Sequence, residues 1–540
     1  MRLSYIIATL ILIGFTTTTL AQEVSIPDPG LNAAIRDALQ KPAGPLTEQD
    51  LLTLTNLDAS SRNIGNLQGL ETVRNLVSLS LQINHLTNFS FPNTLTNLTV
   101  LDLSVNSLTN CSFPGGLMKL ATLDLKGNLL TNLTLPSGPN GLSNLDLSQN
   151  RFITFNLPSN LTGLTFFDLS LNALTNISLP SGLTNLVNLV IRGNNMLTRL
   201  DLPPGLTALE TLDIDNNVLD DVVLPVGMKS LVRLNLEANQ LFSLTLPAGM
   251  TNLTSLILER NHLDSLTLPA DLAKLAVLDL FGNQATNVTI PGSLTALTEL
   301  HLAINRLTSF TLPSGLTNLS CLDLFENTLT NLTLPAGLSA LTNLDLGVNQ
   351  LTSFTMPAGA TNLATLSFFA NQLTNVSLAT DMKKLNLLSL SGDRLRTIDL
   401  PSNLTGLAFL NLNGNQLTNI TLPPEMQQLI GLFVDGNPLA TLVLSEALAA
   451  TNLVGTVTTL RNQGVAVFTY PLAVQLVQPR SLVGGFQFRL TGPPGTYAVL
   501  GSTNLADWTV VGTATNSLGS INFTDVQANL SPRKFYRARR

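Results

Sequence analysis

Three histidines, two cysteines and a recurring file of aspartates are the side chains through which this chain could do chemistry. His85, His262 and His301 are scattered, with none of the short spacings through which imidazoles share a metal ion. Neither Cys111 nor Cys321 stands near a His-Asp set that would activate it as a nucleophile. No Gly-x-Ser-x-Gly turn and no glycine-rich phosphate cradle occurs. The aspartates are more orderly: Asp58, Asp102, Asp124, Asp146, Asp168, Asp213, Asp279, Asp323 and Asp345 fall at equivalent places. Asp102, Asp124, Asp146 and Asp168 follow one another at intervals of 22 residues. Carboxylates stacked at strand spacing repel unless water or a hard cation such as Ca²⁺ stands between them. The absence of a compact Asp-x-Asp-x-Asp-Gly loop favours water over a cation. One carboxylate per repeat is not an acid–base pair, so neither catalysis nor a cofactor is expected.

The aspartates owe their order to a period. Asparagine recurs in the frame Leu-x-Leu-x-x-Asn at Asn84, Asn106, Asn128, Asn150, Asn172 and Asn194. One extra residue follows, and Asn217, Asn239, Asn261, Asn283, Asn305, Asn327, Asn349 and Asn371 continue the series. Asp393, Asn415 and Asn437 complete it, and Arg62 holds the slot before Asn84, which makes eighteen coils. Such a period means a solenoid. Around Asn327 the apolar positions are Leu322, Leu324, Leu329, Leu332, Leu334, Leu338 and Leu341. Stacking turns each into a buried column that no single coil could hide alone. The slot amide can donate and accept, which suits the place where the backbone leaves a strand. Asp393 only accepts when ionised, so its coil is expected to be looser.

The return path alternates at period two in Thr330–Pro335, Ser243–Pro247, Ser309–Pro313 and Asn419–Pro423. This predicts a second short parallel strand on the convex side, ended by a proline that cannot donate to the ladder. Gly249, Gly315 and Gly337 would turn the corners that follow. The exposed Asn/Ser and Thr/Ser files of this path also create Asn-x-Thr/Ser triplets as by-products of the repeat.

The frame, as in Leu101-Asp102-Leu103-Ser104-Val105-Asn106-Ser107-Leu108, resembles the leucine-rich repeat family over about 400 residues. The resemblance implies a mostly β fold: a right-handed solenoid of eighteen 22-residue coils, with a parallel sheet on the concave face and short strands on the convex face. Its Leu-Thr-Leu-Pro segments are similar to those of bacterial surface repeats. It implies no particular ligand, because one scaffold carries many functions.

The ends differ from the middle. Residues 1–21 have Arg2, an apolar stretch from Ile6 to Phe15 and small residues before Gln22, the pattern of an export signal. Residues 22–56 form a helical N-terminal cap: Asp28-Pro29 starts a helix through Leu39, with Leu31, Ile35 and Leu39 on one face, and Thr47 starts a second. The solenoid spans 57–450, and 451–470 cap it with a helix from Asn452 to Arg461 and a strand from Val465 to Tyr470. Residues 471–540 lose the period. Their candidate strands are Phe486–Leu490, Tyr497–Ser502, Trp508–Thr513, Ser520–Thr524 and Lys534–Arg539, a small β-sandwich with Trp508 in its core. The run from Tyr497 to Leu505, with Trp508 and Phe535-Tyr536-Arg537, resembles C-terminal modules of secreted planctomycete–verrucomicrobial proteins. Cys111 and Cys321 lie ten coils apart, roughly 48 Å at strand spacing, so no disulfide is expected.

Only 11% of the residues are charged and the net charge is −7, which offers no basic footprint for nucleic acid. No apolar run after the signal is long enough to span a membrane, and a monomer is expected. Function must then come from exposed columns. The position two before the slot changes along the chain, from Ser104, Lys126, Ser148 and Ser170, through Asp215, Glu237 and Glu259, to Phe281, Ala303, Phe325, Gly347 and Phe369. Phe409 and Phe433 stand on neighbouring columns, and Glu299 and His301 lie within the same stretch. Outward aromatics are informative because burial is their default. The expected function is an exported, non-enzymatic scaffold that binds a protein or glycan through Phe281, Phe325 and Phe369. The alternative is a structural spacer or surface-coat element anchored or sorted by its C-terminal module.

Overall fold

The computed structural model describes residues 22–88, 90–135, 141–528 and 533–540; the export-signal segment 1–21 lies outside the described residues. Two compact units divide the chain, Met1–Leu174 and Thr175–Arg540. The first opens with the helix Pro29–Leu39, whose N-cap Asp28 accepts from the backbone N–H of Gly30 and Leu31. Leu31, Ala34 and Ile35 form its buried face, and Leu39 is only half-buried. Thr47 and Asp50 close a capping box around the short helix Glu48–Leu51.

Three-residue parallel strands follow. Six belong to the first unit, from Asn56–Asp58 to Phe166–Asp168, and twelve to the second, from Asn188–Val190 to Gly431–Phe433. Equivalent residues pair: Leu79 faces Leu101, and Leu322 faces Leu344. The middle residue of every such strand is a buried leucine, except Phe167. Each contributes ~1.5–3 kcal/mol by leaving water, but only because neighbouring coils cover it. The fold is therefore mostly β, a leucine-rich solenoid in which, among the described residues, the α-helices lie at its ends.

A backbone feature accompanies each slot. The residue just before it is left-handed in all eighteen coils: Gly127, Gly193, Gly282, Gly392, Gly414 and Gly436 in six, and L-residues elsewhere, including Val105 at φ 54° and Ile304 at φ 54°. The conformation aims that residue's N–H at the next coil, Val105 to the carbonyl of Lys126 at 2.7 Å and Ile304 to that of Phe325 at 2.8 Å. A β-branched side chain there is strained, at a cost of ~1–2 kcal/mol. Val105 is 45% exposed and loses little packing on truncation. Val105→Gly is accordingly expected to stabilise the fold by about 0.5–1 kcal/mol after glycine's greater unfolded-state freedom is counted, and so to raise the thermal midpoint. A lowered midpoint would contradict this account of the turn.

The convex strands form only in part. Asn110–Ser112 pairs with Asn132–Thr134, Ser265–Thr267 with Asn287–Thr289, and Ser353–Thr355 with Asn375–Ser377. The expected strands at 243–245, 309–311 and 331–333 are absent. A three-residue strand makes few ladder bonds, so a small departure from strand spacing removes the pairing. The alternation still buries its inward residues, Leu244, Phe310 and Leu332.

At the C-terminal end Thr441–Ser445 pairs with Ala466–Tyr470 across the helices Glu446–Ala450 and Val454–Asn462. The first helix was not expected; Ser445 caps it by accepting from the N–H of Leu448. Fully buried Tyr470 donates to the carbonyl of Leu422 at 2.6 Å and closes the core. Two three-stranded antiparallel sheets come next: Gln475–Leu482, Gly485–Thr491 and Ser520–Asp525, then Thr509–Asn516, Gly495–Ser502 and Phe535–Arg539. Phe488, Leu490, Tyr497, Val499 and Ala514 fill the space between them.

Two expectations for this module need correction. Trp508 is not core. It is half-exposed, its indole N–H donates to the carbonyl of Leu505, and the Arg537 guanidinium lies 4.3 Å from its ring. The strand Gln475–Leu482 is additional. Pro479 argues against a strand, but a bulge between Val477 and Arg480, with Gln478 at φ 54°, lifts the proline out of the ladder.

Candidate functional site

The slot amides prove structural in detail. Asn327 Nδ2 donates to the carbonyls of Leu302, Leu324 and Phe325 at 3.0, 3.2 and 3.4 Å, and its Oδ1 accepts from the N–H of Leu307 at 3.0 Å. Each such amide ties its own coil to the one before it. The same pattern recurs at Asn261, Asn283, Asn305 and Asn349. Asp393 keeps half of it: Oδ1 accepts from the N–H of Leu373 at 2.9 Å, as an asparagine would, but the amide's donations to the carbonyls are missing. Its Oδ2 is buried without a partner, and burial pushes the carboxyl up to about 7.

The aspartate column also serves the backbone. Asp102, Asp124, Asp146 and Asp168 accept from the N–H two residues on, at 2.8, 2.9, 2.8 and 2.7 Å. Asp279, Asp323 and Asp345 do likewise towards Phe281, Phe325 and Gly347. These are side-chain turns that end each strand. Burial, reinforced by Asp146 and Asp102, pushes Asp124 up to about 6. Among the described residues no three His, Cys, Asp or Glu side chains come together in a way that could hold a metal ion. Both cysteines are free, Cys111 buried on a convex strand and Cys321 on a concave one.

The position two before the slot is less exposed than its alternation implies. Ser104, Ser148, Ser170 and Ala303 are buried, because their neighbours overhang them. Phe281 and Phe325 are half-buried. A Cβ on Gly347 would lie 3.1 Å from the Phe325 ring, so that ring rests on the glycine of the next coil. Phe369, by contrast, is 47% exposed. Glu299 and His301 share one strand, with the imidazole Nε2 3.5 Å from the carboxylate.

The position six before the slot emerges instead. There Leu387 pairs with Phe409, and Phe409 with Gly431, all on adjacent strands. A Cβ on Gly431 would meet the Phe409 ring at 2.6 Å and the Phe433 ring at 3.1 Å, so both aromatics lean over that glycine. Leu387, Phe409, Phe433 and Phe369 are all exposed. Leu387 was missed because leucine is unremarkable in such a chain; its signal was the column it shares with Phe409.

A parallel solenoid whose coils are joined by buried asparagines is a leucine-rich repeat scaffold. The chain belongs to the BspA-type leucine-rich repeat family, whose profile matches residues 126–235, 235–346 and 324–431. No curated protein is significantly similar to it. Among solved structures, the functional domain of InlJ from Listeria monocytogenes is 21% identical, with 86% of this chain and 94% of that one covered and a TM-score of 0.53. YopM from Yersinia enterocolitica is 24% identical, with 76% and 87% covered and a TM-score of 0.50. Among the described residues no helix is long and apolar enough to cross a membrane.

Proposed function

We propose that the chain is an exported, non-enzymatic scaffold whose concave face takes a protein ligand. The observation that carries this reading is the apolar strip of Phe369, Leu387, Phe409 and Phe433, exposed on a face that is otherwise mostly polar. Burying these side chains against a partner would return surface that folding left in water. Phe281 and Phe325, both half-buried, extend the strip into earlier coils together with Glu299 and His301. A glycan could stack on the phenylalanines, but Leu387 between them favours an apolar peptide surface over a sugar.

The test is direct. A photo-crosslinking residue at position 409 recovers the partner, and its affinity is then measured for Phe369→Ser/Phe409→Ser/Phe433→Ser and for the convex control Thr267→Ala/Thr289→Ala. The triple variant is expected to bind at least tenfold more weakly, about 1.4 kcal/mol or more, and the control to be unchanged. These rings are exposed, so folding is preserved. Unchanged affinity of the triple variant would sink the assignment and favour the spacer reading, since a spacer tolerates all three substitutions.

A further inference from the structure

The charges of this chain are segregated. Residues 471–540 hold seven basic side chains, Arg480, Arg489, Arg533, Lys534, Arg537, Arg539 and Arg540, against Asp507 and Asp525. The module is therefore +5 in a chain of −7, which leaves −12 for everything before it. Some of the positive charge is absorbed internally: Lys534 lies 2.6 Å from Asp525, and Arg537 sits over Trp508. Arg480 and Arg489 are different. Both are exposed, and among the described residues neither is paired with a carboxylate.

They share the outer face of one sheet. Arg480 stands opposite Gln487, and Arg489 is two residues along the same central strand, opposite Asn522. That diagonal places the two basic residues roughly 7–8 Å apart at their bases. Both are held. Arg480 donates through Nε to Gln487 Oε1 at 2.7 Å, and Gln487 in turn donates to Thr524 Oγ1 at 2.9 Å. Arg489 donates to Ser520 Oγ at 2.5 Å. Gln478, Asn522 and Ser520 join them around a recess of about 500 Å³, within the range of small-molecule sites. Two ordered guanidiniums separated by amides and a hydroxyl match a ligand that alternates carboxylates with hydroxyls. A guanidinium fork pairs a carboxylate with two parallel bonds, and the amides can both give and accept at sugar hydroxyls.

We propose that this face is a binding site for an acidic polysaccharide of uronic-acid type, independent of the concave strip. Surface tethering to such a polymer would leave the concave face free.

The test uses the chain from residue 22 to 540 and polygalacturonate as the probe, with dextran as the neutral polymer and phosphatidylglycerol vesicles as a second anionic surface. Affinity electrophoresis is expected to show retardation by polygalacturonate that weakens with added salt, and none by dextran. Arg480→Gln/Arg489→Gln is expected to bind at least tenfold more weakly. Arg537→Gln/Arg539→Gln, on the other sheet, is expected to retain most of the affinity. Equal retardation of the wild type and the Arg480/Arg489 variant would overturn the proposal. So would binding confined to vesicles, or an equal loss in both double variants, which would mean net charge alone is read.

Discussion

Asn327→Ala is expected to lower the stability of the second unit by about 3 kcal/mol and to broaden its urea transition or split it in two. The side chain joins three carbonyls and one N–H through four hydrogen bonds, two of them reaching the preceding coil at Leu302 and Leu307. Asn327 is only 7% exposed, so water replaces those partners poorly. Each buried group left unpaired costs about 1–3 kcal/mol, and partial relaxation recovers some of the total. The split follows from the architecture: coils contact only their neighbours, so one weak interface uncouples those on either side. Equilibrium unfolding followed by circular dichroism decides the matter. A variant that unfolds with the wild-type midpoint and slope would show that the amide contributes nothing.

Asp393→Asn is expected to stabilise the protein at pH 8 and to leave it nearly unchanged at pH 4. In the folded chain the carboxyl is pushed up to about 7 by burial, from an ordinary 3.8. The folded state therefore holds a proton that the unfolded state has released, and stability falls as pH rises from about 4 to 7. Below that window the protonated acid can donate from Oδ2, as an amide does; above it a buried anion remains. At ~1.4 kcal/mol per pH unit the separation sets an upper bound near 4 kcal/mol, and solvent access reduces it to on the order of 2–3 kcal/mol at pH 8. The asparagine titrates nowhere, so the difference between variant and wild type, measured by urea midpoint from pH 4 to 8, isolates this one group. A constant difference across that range would refute the assignment.

The repeat carried most of the architecture into plain sight. Leucine at fixed places and one asparagine per coil suffice to locate every concave strand, because register in a stack leaves no choice once one coil is placed. Side-chain direction at the strand ends was harder to read. Alternation suggested that the position two before the slot points outward, yet Ser104 and Ala303 are buried, since a small side chain beside larger neighbours is overhung whichever way it points. The aspartates read as a solvated carboxylate stripe when each was ending its own strand, a local bond that composition does not reveal. Trp508 was misplaced for a related reason: an indole's default is burial, and Arg537 supplied the alternative partner. Pro479 concealed a strand because a bulge, invisible in a residue pattern, carried it past the ladder.

The single 23-residue interval shows how the stack treats change. Asn217 Oδ1 accepts from the N–H of Asn194, 23 residues back, where other slots accept 20 back. Its Nδ2 still finds the carbonyl of Ile191 at 2.9 Å. The extra residue is spent in the turn at Asn195–Met196, and by Leu219 the usual spacing to Asn239 has returned. An irregular insertion is thus quarantined within one coil, while a whole coil, once duplicated, meets neighbours already shaped to receive it. Such a chain can lengthen or shorten its ligand-facing surface by gene-level copying of a 22-residue unit, without redesigning the core that surface stands on.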